Sequence, residues 1–352
     1  GRAKENVVNG RLSASLVNIA AELSGIDIGY DPEEMDSFPR GLSYLYLAKV
    51  PLFGPIGSRY AVIYDNFNLY AWHRYEETRG ATENVYGDRQ MQWIHDTLSS
   101  SEAEWKFLVN SVSLIPLIID LNTVLDQIDI TIPDIVPEDM LHLLDNRVML
   151  NADSWDGFPN EKKRMLELLG SYDATILSGD IHSAWIARHR TESGKEVPEF
   201  TGTSVSSGTI LGLVSQVTEG YPAVQDIVDI EAVKPLLQDW FQESAAFANT
   251  DTEILDAALG DNGYMIVEVE PEKMQVYRYE LPFDIVTESY YDPSMRDALN
   301  ALVETTLHTV TRDSGGGLLL DAPRLVGNDP YNSSPRILDE SPVPVTQSQN
   351  GF

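Results

Sequence analysis

The run from Asp173 to His189, DATILSGDIHSAWIARH, leads a short apolar stretch directly into Ser178-Gly179-Asp180-Ile181-His182. Residues at i and i+2 of an extended segment point the same way, so Asp180 and His182 are expected to project together from a strand end. A hard carboxylate oxygen beside a borderline imidazole nitrogen suits two adjacent metal ions of different character. Gly179 would let the backbone approach such a centre closely. The same residues fit a loop aspartate and a hydrogen-bonded histidine equally well. A second segment, Asn151 to Pro159 (NADSWDGFP), places Asp153 and Asp156 on either side of Trp155, just ahead of a helix. Carboxylates on such a turn can ligate metals, with the tryptophan walling a pocket. Taken alone, capping and Asx-turn chemistry explains them better.

Other candidates carry less. His73 closes an expected strand, and an exposed structural role suits it better than a place at the substrate. His95 falls on a helix surface, the alternation that follows His182 gives His189 no clear part, and His142 and His308 carry no signal. Gly315-Gly316-Gly317 is too short to cradle a phosphate. Ser204, Ser206 and Ser207 lack the elbow that surrounds a nucleophilic serine and read as strand and turn residues.

The elements that would position these residues belong to a chain of 352 residues, long enough for one large domain or two ordinary ones. Hydrophobic residues make up 43%, enough to bury a core and to exclude wholesale disorder. Asp and Glu total 55 against 24 Lys and Arg, a formal charge of −31. No basic stripe is present to meet phosphates, which argues against a nucleic-acid binder. Only eight of the basic residues are Lys, and so acidic a surface suits a saline or extracellular setting, where screening weakens self-repulsion. With no Cys there is no disulfide, thiolate ligand or thiol nucleophile within this sequence. The longest apolar stretch, around Val112 to Leu125, is broken by Pro116 and Asp120 and is too short to span a bilayer.

Along the chain, residues 1–58 form a mixed lead-in with helical spacing over Leu12 to Leu23. Arg59 to Trp72 reads as strand, and a helix follows with Asp88 as N-cap. Trp105 to Leu114 reads as strand, and 115–147 as an insertion mixing loop with a short helix. Asn160 caps a helix with Met165, Leu168 and Leu169 on its apolar face. Strands are expected over Asp173 to Leu177, Trp185 to His189 and Glu199 to Ser206, then a helix over Val233 to Phe247. Tyr264 to Val269 and Met274 to Leu281 form a hairpin around Glu270-Pro271-Glu272-Lys273. A last helix is expected near Met295 to Leu307, and residues 311–352 read as an irregular or disordered tail. Helices alternating with short buried strands give a layered α/β architecture.

Four segments, in order, resemble the PhoD-like alkaline phosphatase/phosphodiesterase family of the metallophosphoesterases. They are Gly87–Ile94 (GDRQMQWI), Asp153–Pro159 (DSWDGFP), Ser178–Trp185 (SGDIHSAW) and Glu199–Ser207 (EFTGTSVSS), and the likeness runs over roughly residues 59 to 280. The resemblance implies a double β-sheet sandwich flanked by helices in four αββα layers, with a metal centre at the strand ends. It implies hydrolysis of phosphate mono- or diesters, with metal-activated hydroxide attacking phosphorus. Iron and Ca2+ are the implied cofactors, His182 the iron ligand, Asp180 a Ca2+ ligand, and Asp153 or Asp156 a further one. On the same footing Asp180 and His182 would be the catalytic pair of this chain.

The departures from the family pattern are as informative. The family's N-terminal Cys, Asp/Tyr and acidic His-Glu ligand blocks have no counterpart before residue 59, and Asp65 is followed by Asn66 and Phe67 where the family has D-x-R. The sequence therefore looks like the C-terminal half of such an enzyme, inactive or nearly so alone. A cut precursor, a split enzyme with a second polypeptide carrying the other half, or a degenerate relative would each give this picture, and a second polypeptide is the expected partner. Its opening, Gly1-Arg2-Ala3-Lys4, has no initiator Met and fits a removed leader or a longer precursor. An extracellular, periplasmic or cell-surface location follows as an expectation. The alternatives are a non-catalytic acidic scaffold or matrix protein reusing the sandwich, and a Ca2+-only module that leaves His182 idle.

Overall fold

The computed structural model describes residues 41–42, 61–120, 147–149, 154–212, 251–282 and 301–326, with 285, 294, 298 and 300 singly. The expected helices over 12–23 and 233–247 lie outside these residues.

The first strands are β1 (Gly41–Leu42) and β2 (Ala61–Ile63). The expected strand over 59–72 ends there, because Tyr64–Thr78 is the helix α1. Tyr64, Phe67 and Ala71 recur at i, i+3 and i+7 and pack together on Ile118 and Met149. That helical period outweighs the β-propensity of the aromatic residues. Next come α2 (Gly87–Ser100), β3 (Lys106–Val109), β4 (Ile118–Asp120) and β5 (Arg147–Met149). The expected insertion thus begins and ends in strand, and residues 121–146 lie outside the description. Sheet pairing runs β1-β2-β5-β4, antiparallel throughout.

Helix α2 begins at Gly87 with Tyr86 at the N-cap, so Asp88 sits in the first turn, where its charge suits the helix dipole. Helix α3 (Pro159–Ser171) opens on a proline, and Asn160 lies inside it. Its cap comes from Glu83, whose carboxylate accepts the Asn160 and Glu161 backbone N–H groups at 2.6 and 3.0 Å. Burial raises the Glu83 carboxyl despite these bonds.

A second sheet has the order β3-β6-β8-β7-β9, with β6 at Ala174–Ser178, β7 at Ala184–Arg190, β8 at Glu196–Thr201 and β9 at Thr252–Ala258. Strands β3, β6 and β8 run parallel, while β7 and β9 run antiparallel to their neighbours. The third sheet is antiparallel: β10 (Asp261–Val269), β11 (Lys273–Pro282), β12 (Glu304–Arg312) and β13 (Leu318–Leu320), with β14 (Arg324–Leu325) also on β12. The expected hairpin is β10–β11. The helix expected near 295–307 gives way to β12 from Glu304, and the first part of the expected irregular tail closes this sheet. Thr305, Leu307 and Val310 are buried there, and the Gly315–Gly317 turn lets the chain return as β13.

The last two sheets pack face to face. Ile186 and Phe200 of one meet Met274, Val276, Val310, Leu318 and Leu320 of the other. The opposite face of the β6–β8 region carries α2 and α3 through Ile94, Leu98, Met165, Leu169, Ala174 and Ile176. Alternation along β7 divides these faces, with Ile186 between the sheets and Trp185 and Ala187 in a separate cluster with Ile115, Ile181 and Ile254. The described residues thus give an α/β fold with helix, sheet and sheet in successive layers. Among them no helix is long and apolar enough to cross a membrane.

Candidate metal-bearing loop

Strand β6 ends at Ser178, and the chain crosses to β7 through Gly179 to Ser183. This crossing is not extended. Asp180 and His182 both take left-handed backbone conformations, with φ of 78° and 55°. Such residues cost on the order of 1–3 kcal/mol each and persist only where the surroundings fix them. The alternation argument for their common direction therefore does not hold. What exposes both is the residue between them: Ile181 is buried against Trp185 and Leu211, and Asp180 and His182 stand in solvent on either side. Among the described residues a Cβ on Gly179 would meet nothing within 4 Å, so none of them requires that glycine by close approach.

The turn after β8 braces the loop. Nδ1 of His182 bonds to the carbonyl oxygen of Gly208, and the Ile210 N–H donates to the His182 carbonyl at 3.2 Å. A carbonyl only accepts, so Nδ1 carries the proton, and in the neutral ring Nε2 is left with its lone pair. Metal-ligating histidines are oriented in the same way.

Beneath the loop sits Glu199, which sequence reasoning missed. Its Oε1 accepts from Ser178 Oγ (2.6 Å), Ser113 Oγ (3.0 Å) and the Leu114 N–H (2.9 Å). Its Oε2 meets His189 Nε2 at 2.8 Å, and His189 Nδ1 meets Thr252 Oγ1 at 2.8 Å. Glu199 and His189 are fully buried. Burial pushes the Glu199 carboxyl up, but the hydrogen bond and charge of His189, with Ser178 and Leu114, hold it below its ordinary range. One carboxylate thus ties the end of β6, strand β7 and the 113–114 segment together.

Asp153 lies outside the described residues. Asp156 is buried, its Oδ2 accepting the Leu117 N–H at 2.8 Å and its Oδ1 paired with Lys162 Nζ at 2.9 Å. Trp155 is buried in the core with Leu114 and Met165, 5.5 Å from the Tyr86 ring. Of the helical segment Gly87–Ile94, Trp93 is 65% exposed. His95 is exposed, 3.2 Å from Asp96. It borders a cavity of about 550 Å3 with Asp88, Lys163 and Glu167, away from Asp180 and His182. His73 lies on α1 rather than on a strand, and His142 lies outside the description. His308, which carries no signal by type or spacing, is buried between the sheets beside Asp256.

Asp180 offers a hard oxygen and His182 a nitrogen, which fit Ca2+ and iron respectively but complete neither coordination sphere. Among the described residues no group of three or more His, Asp or Glu is placed to hold a metal.

The model of a family described as PhoD-like phosphatase matches residues 63–277. Alkaline phosphatase D of Bacillus subtilis (strain 168) is 26% identical over 141 residues, which cover 38% of this chain and 20% of that protein. The chain thus spans about a fifth of the length of that curated relative. No solved structure matches.

Proposed function

The chain belongs to the PhoD-like phosphatase family, and from that premise we propose that it hydrolyses phosphate esters at the loop between β6 and β7, with Asp180 and His182 as metal donors. The bond from His182 Nδ1 to Gly208 supports this most directly, because it commits one ring nitrogen and reserves Nε2 for a ligand. The metals are those the resemblance implies, iron at His182 and Ca2+ at Asp180. Such ions, when bound, supply Lewis acidity and lower the pKa of water.

The chain's own residues hold the donors in place. Glu199 anchors Ser178 two residues before Asp180, and Ile181 pins the loop between its two exposed side chains. Asp153 or Asp156 is the further Ca2+ donor, and the bonds that the two oxygens of Asp156 already accept from Leu117 and Lys162 favour Asp153. Asp156 is a positioning residue for the segment before β4. The remaining donors come from a second polypeptide, so the isolated chain has little activity of its own. Its setting is outside the cytoplasm, in keeping with the charge of −31.

Turnover of p-nitrophenyl phosphate by the assembled enzyme tests this. Asp180→Asn is expected to abolish turnover with melting unchanged, whereas Asp156→Asn lowers melting first. Near wild-type turnover in Asp180→Asn contradicts the assignment. Denaturing mass spectrometry of the native sample is expected to find a second chain, and full activity from this chain alone contradicts that part.

A further inference from the structure

We infer that Asn262, at the start of β10 in the other sheet, is the positioning residue that sets the tautomer of His182. Asn262 is 1% exposed, and its amide nitrogen lies 3.0 Å from the Ser204 carbonyl, 2.9 Å from Ser204 Oγ and 2.9 Å from the Ser207 carbonyl. Two of these partners are carbonyl oxygens, which only accept, so the NH2 end of the amide must face them. The other end, Oδ1, is buried with no hydrogen-bond partner, which costs on the order of 1–3 kcal/mol. The fold tolerates that cost to keep the donors on the turn.

Neighbouring bonds fasten the same turn to the same strand. The Gly263 N–H donates to the Ser204 carbonyl at 3.0 Å, and Thr203 Oγ1 to the Asp261 carbonyl at 2.8 Å. Gly263 has to be glycine, because a Cβ there would stand 1.9 Å from the Tyr279 carbonyl oxygen. Within the turn, Ser204 Oγ and the Ser207 N–H are 3.1 Å apart. One residue beyond Ser207, the Gly208 carbonyl receives His182 Nδ1–H, and two residues later the Ile210 N–H meets the His182 carbonyl. The route from Asn262 to His182 therefore runs through hydrogen bonds at the two ends of one short turn and the peptide link from Ser207 to Gly208 between them. Released from Asn262, the turn loses the constraint that aims Gly208 at the ring.

The functional meaning of this role rests on His182 being a metal donor, but the role itself is measurable without metal. Nitrogen-15 NMR of the full chain, metal-free and at fixed alkaline pH, reads the tautomer of each histidine, with His182 assigned through His182→Gln. Wild type is expected to hold His182 mainly as Nδ1–H. Asn262→Leu keeps the number of side-chain heavy atoms and removes the donors, and should lower the Nδ1–H to Nε2–H ratio about fivefold, the population worth of one hydrogen bond. The signals of His189, held by Glu199 and Thr252, should not move. If Asn262→Leu does not fold, Ser204→Ala, which removes an acceptor of the same amide, is expected to give the same change. An unchanged His182 ratio in the folded variant, or a wild-type His182 that is mainly Nε2–H, overturns the inference. A shifted ratio together with full turnover in His182→Gln would leave the positioning role standing and remove the phosphatase assignment.

Discussion

Two buried ionic clusters flank the same sheet, one on each face, and they are built on opposite terms. On the helix-facing side Glu199 meets one histidine and three further donors, and its carboxyl is held below the ordinary range. Between the sheets, Arg278 lies 2.9 Å from both Asp256 and Glu280, and His308 lies 3.3 Å from Asp256. These contacts are close but poorly directed: Arg278 Nε and Nη1, Glu280 Oε1 and both His308 nitrogens lack a hydrogen bond. Burial pushes Glu280 up to about 7, Asp261 and Asp256 add to the rise, and Arg278 only partly offsets it. Burial likewise lowers His308. Within that cluster Asp256 is held below its ordinary range despite burial, by His308 and Arg278, so the contrast with Glu199 lies at Glu280, whose one cation does not offset burial and two neighbouring carboxylates. The well-bonded cluster is the one that carries the Asp180–His182 loop.

The largest expected effect comes from removing the hub of the first cluster. Glu199→Ala strands His189, Ser178 and the Leu114 N–H in the core, and urea denaturation should register a loss of about 3–5 kcal/mol. A loss under about 1 kcal/mol would erase the contrast between the clusters.

The second cluster should show itself through pH. Glu280 has a folded pKa of about 7 against a reference of 4.5. Its contribution to stability is therefore fully present below pH 4.5 and is lost as pH rises to 7. His308, being lowered, works in the opposite sense and loses stability as pH falls through 6.5. Comparing Glu280→Gln with wild type isolates the first effect. Between pH 4 and pH 8 the variant should gain about 3 kcal/mol relative to wild type, from about 1.4 kcal/mol per pKa unit. Parallel stability curves would mean that Glu280 titrates normally.

A smaller change sharpens the comparison within the first cluster. Thr252→Val removes only the partner of His189 Nδ1 and should cost about 1–2 kcal/mol in the same denaturation experiment. No change would mean that Glu199 alone holds His189. The smallest effect is expected on the loop itself. Asp180→Gly relieves a left-handed backbone and should leave stability equal or raise it by about 1 kcal/mol, while turnover is lost.

What the sequence made legible follows from how local each signal is. The β10–β11 hairpin, the apolar faces of α2 and α3, and strands β6 and β7 are written in short-range period and turn chemistry and are found where expected. Strand β8, by contrast, runs over Glu196–Thr201 and leaves the second half of the expected strand, 202–206, as a turn. Helix α1 was hidden because its aromatic residues favour strand by type although Tyr64, Phe67 and Ala71 recur with a helical period. Strand β12 was hidden because residues up to Leu307 read as a helix, and β13 and β14 because the Gly/Asp-rich turn before them resembles the start of an irregular tail. The clusters were invisible for a different reason: Glu199 finds Ser113 across 86 positions, and Asn262 reaches Ser204 across 58. Pairings at such separation leave no local pattern. Asp180 and His182 were recognised by type, but the left-handed backbone that presents them was not readable from an alternation rule.

Turnover and bound metal, measured on the same assembled samples of wild type and His182→Gln, test the central claim most directly. The account predicts that His182→Gln loses both turnover and iron while its melting temperature stays at the wild-type value. Retention of wild-type turnover by His182→Gln would contradict it.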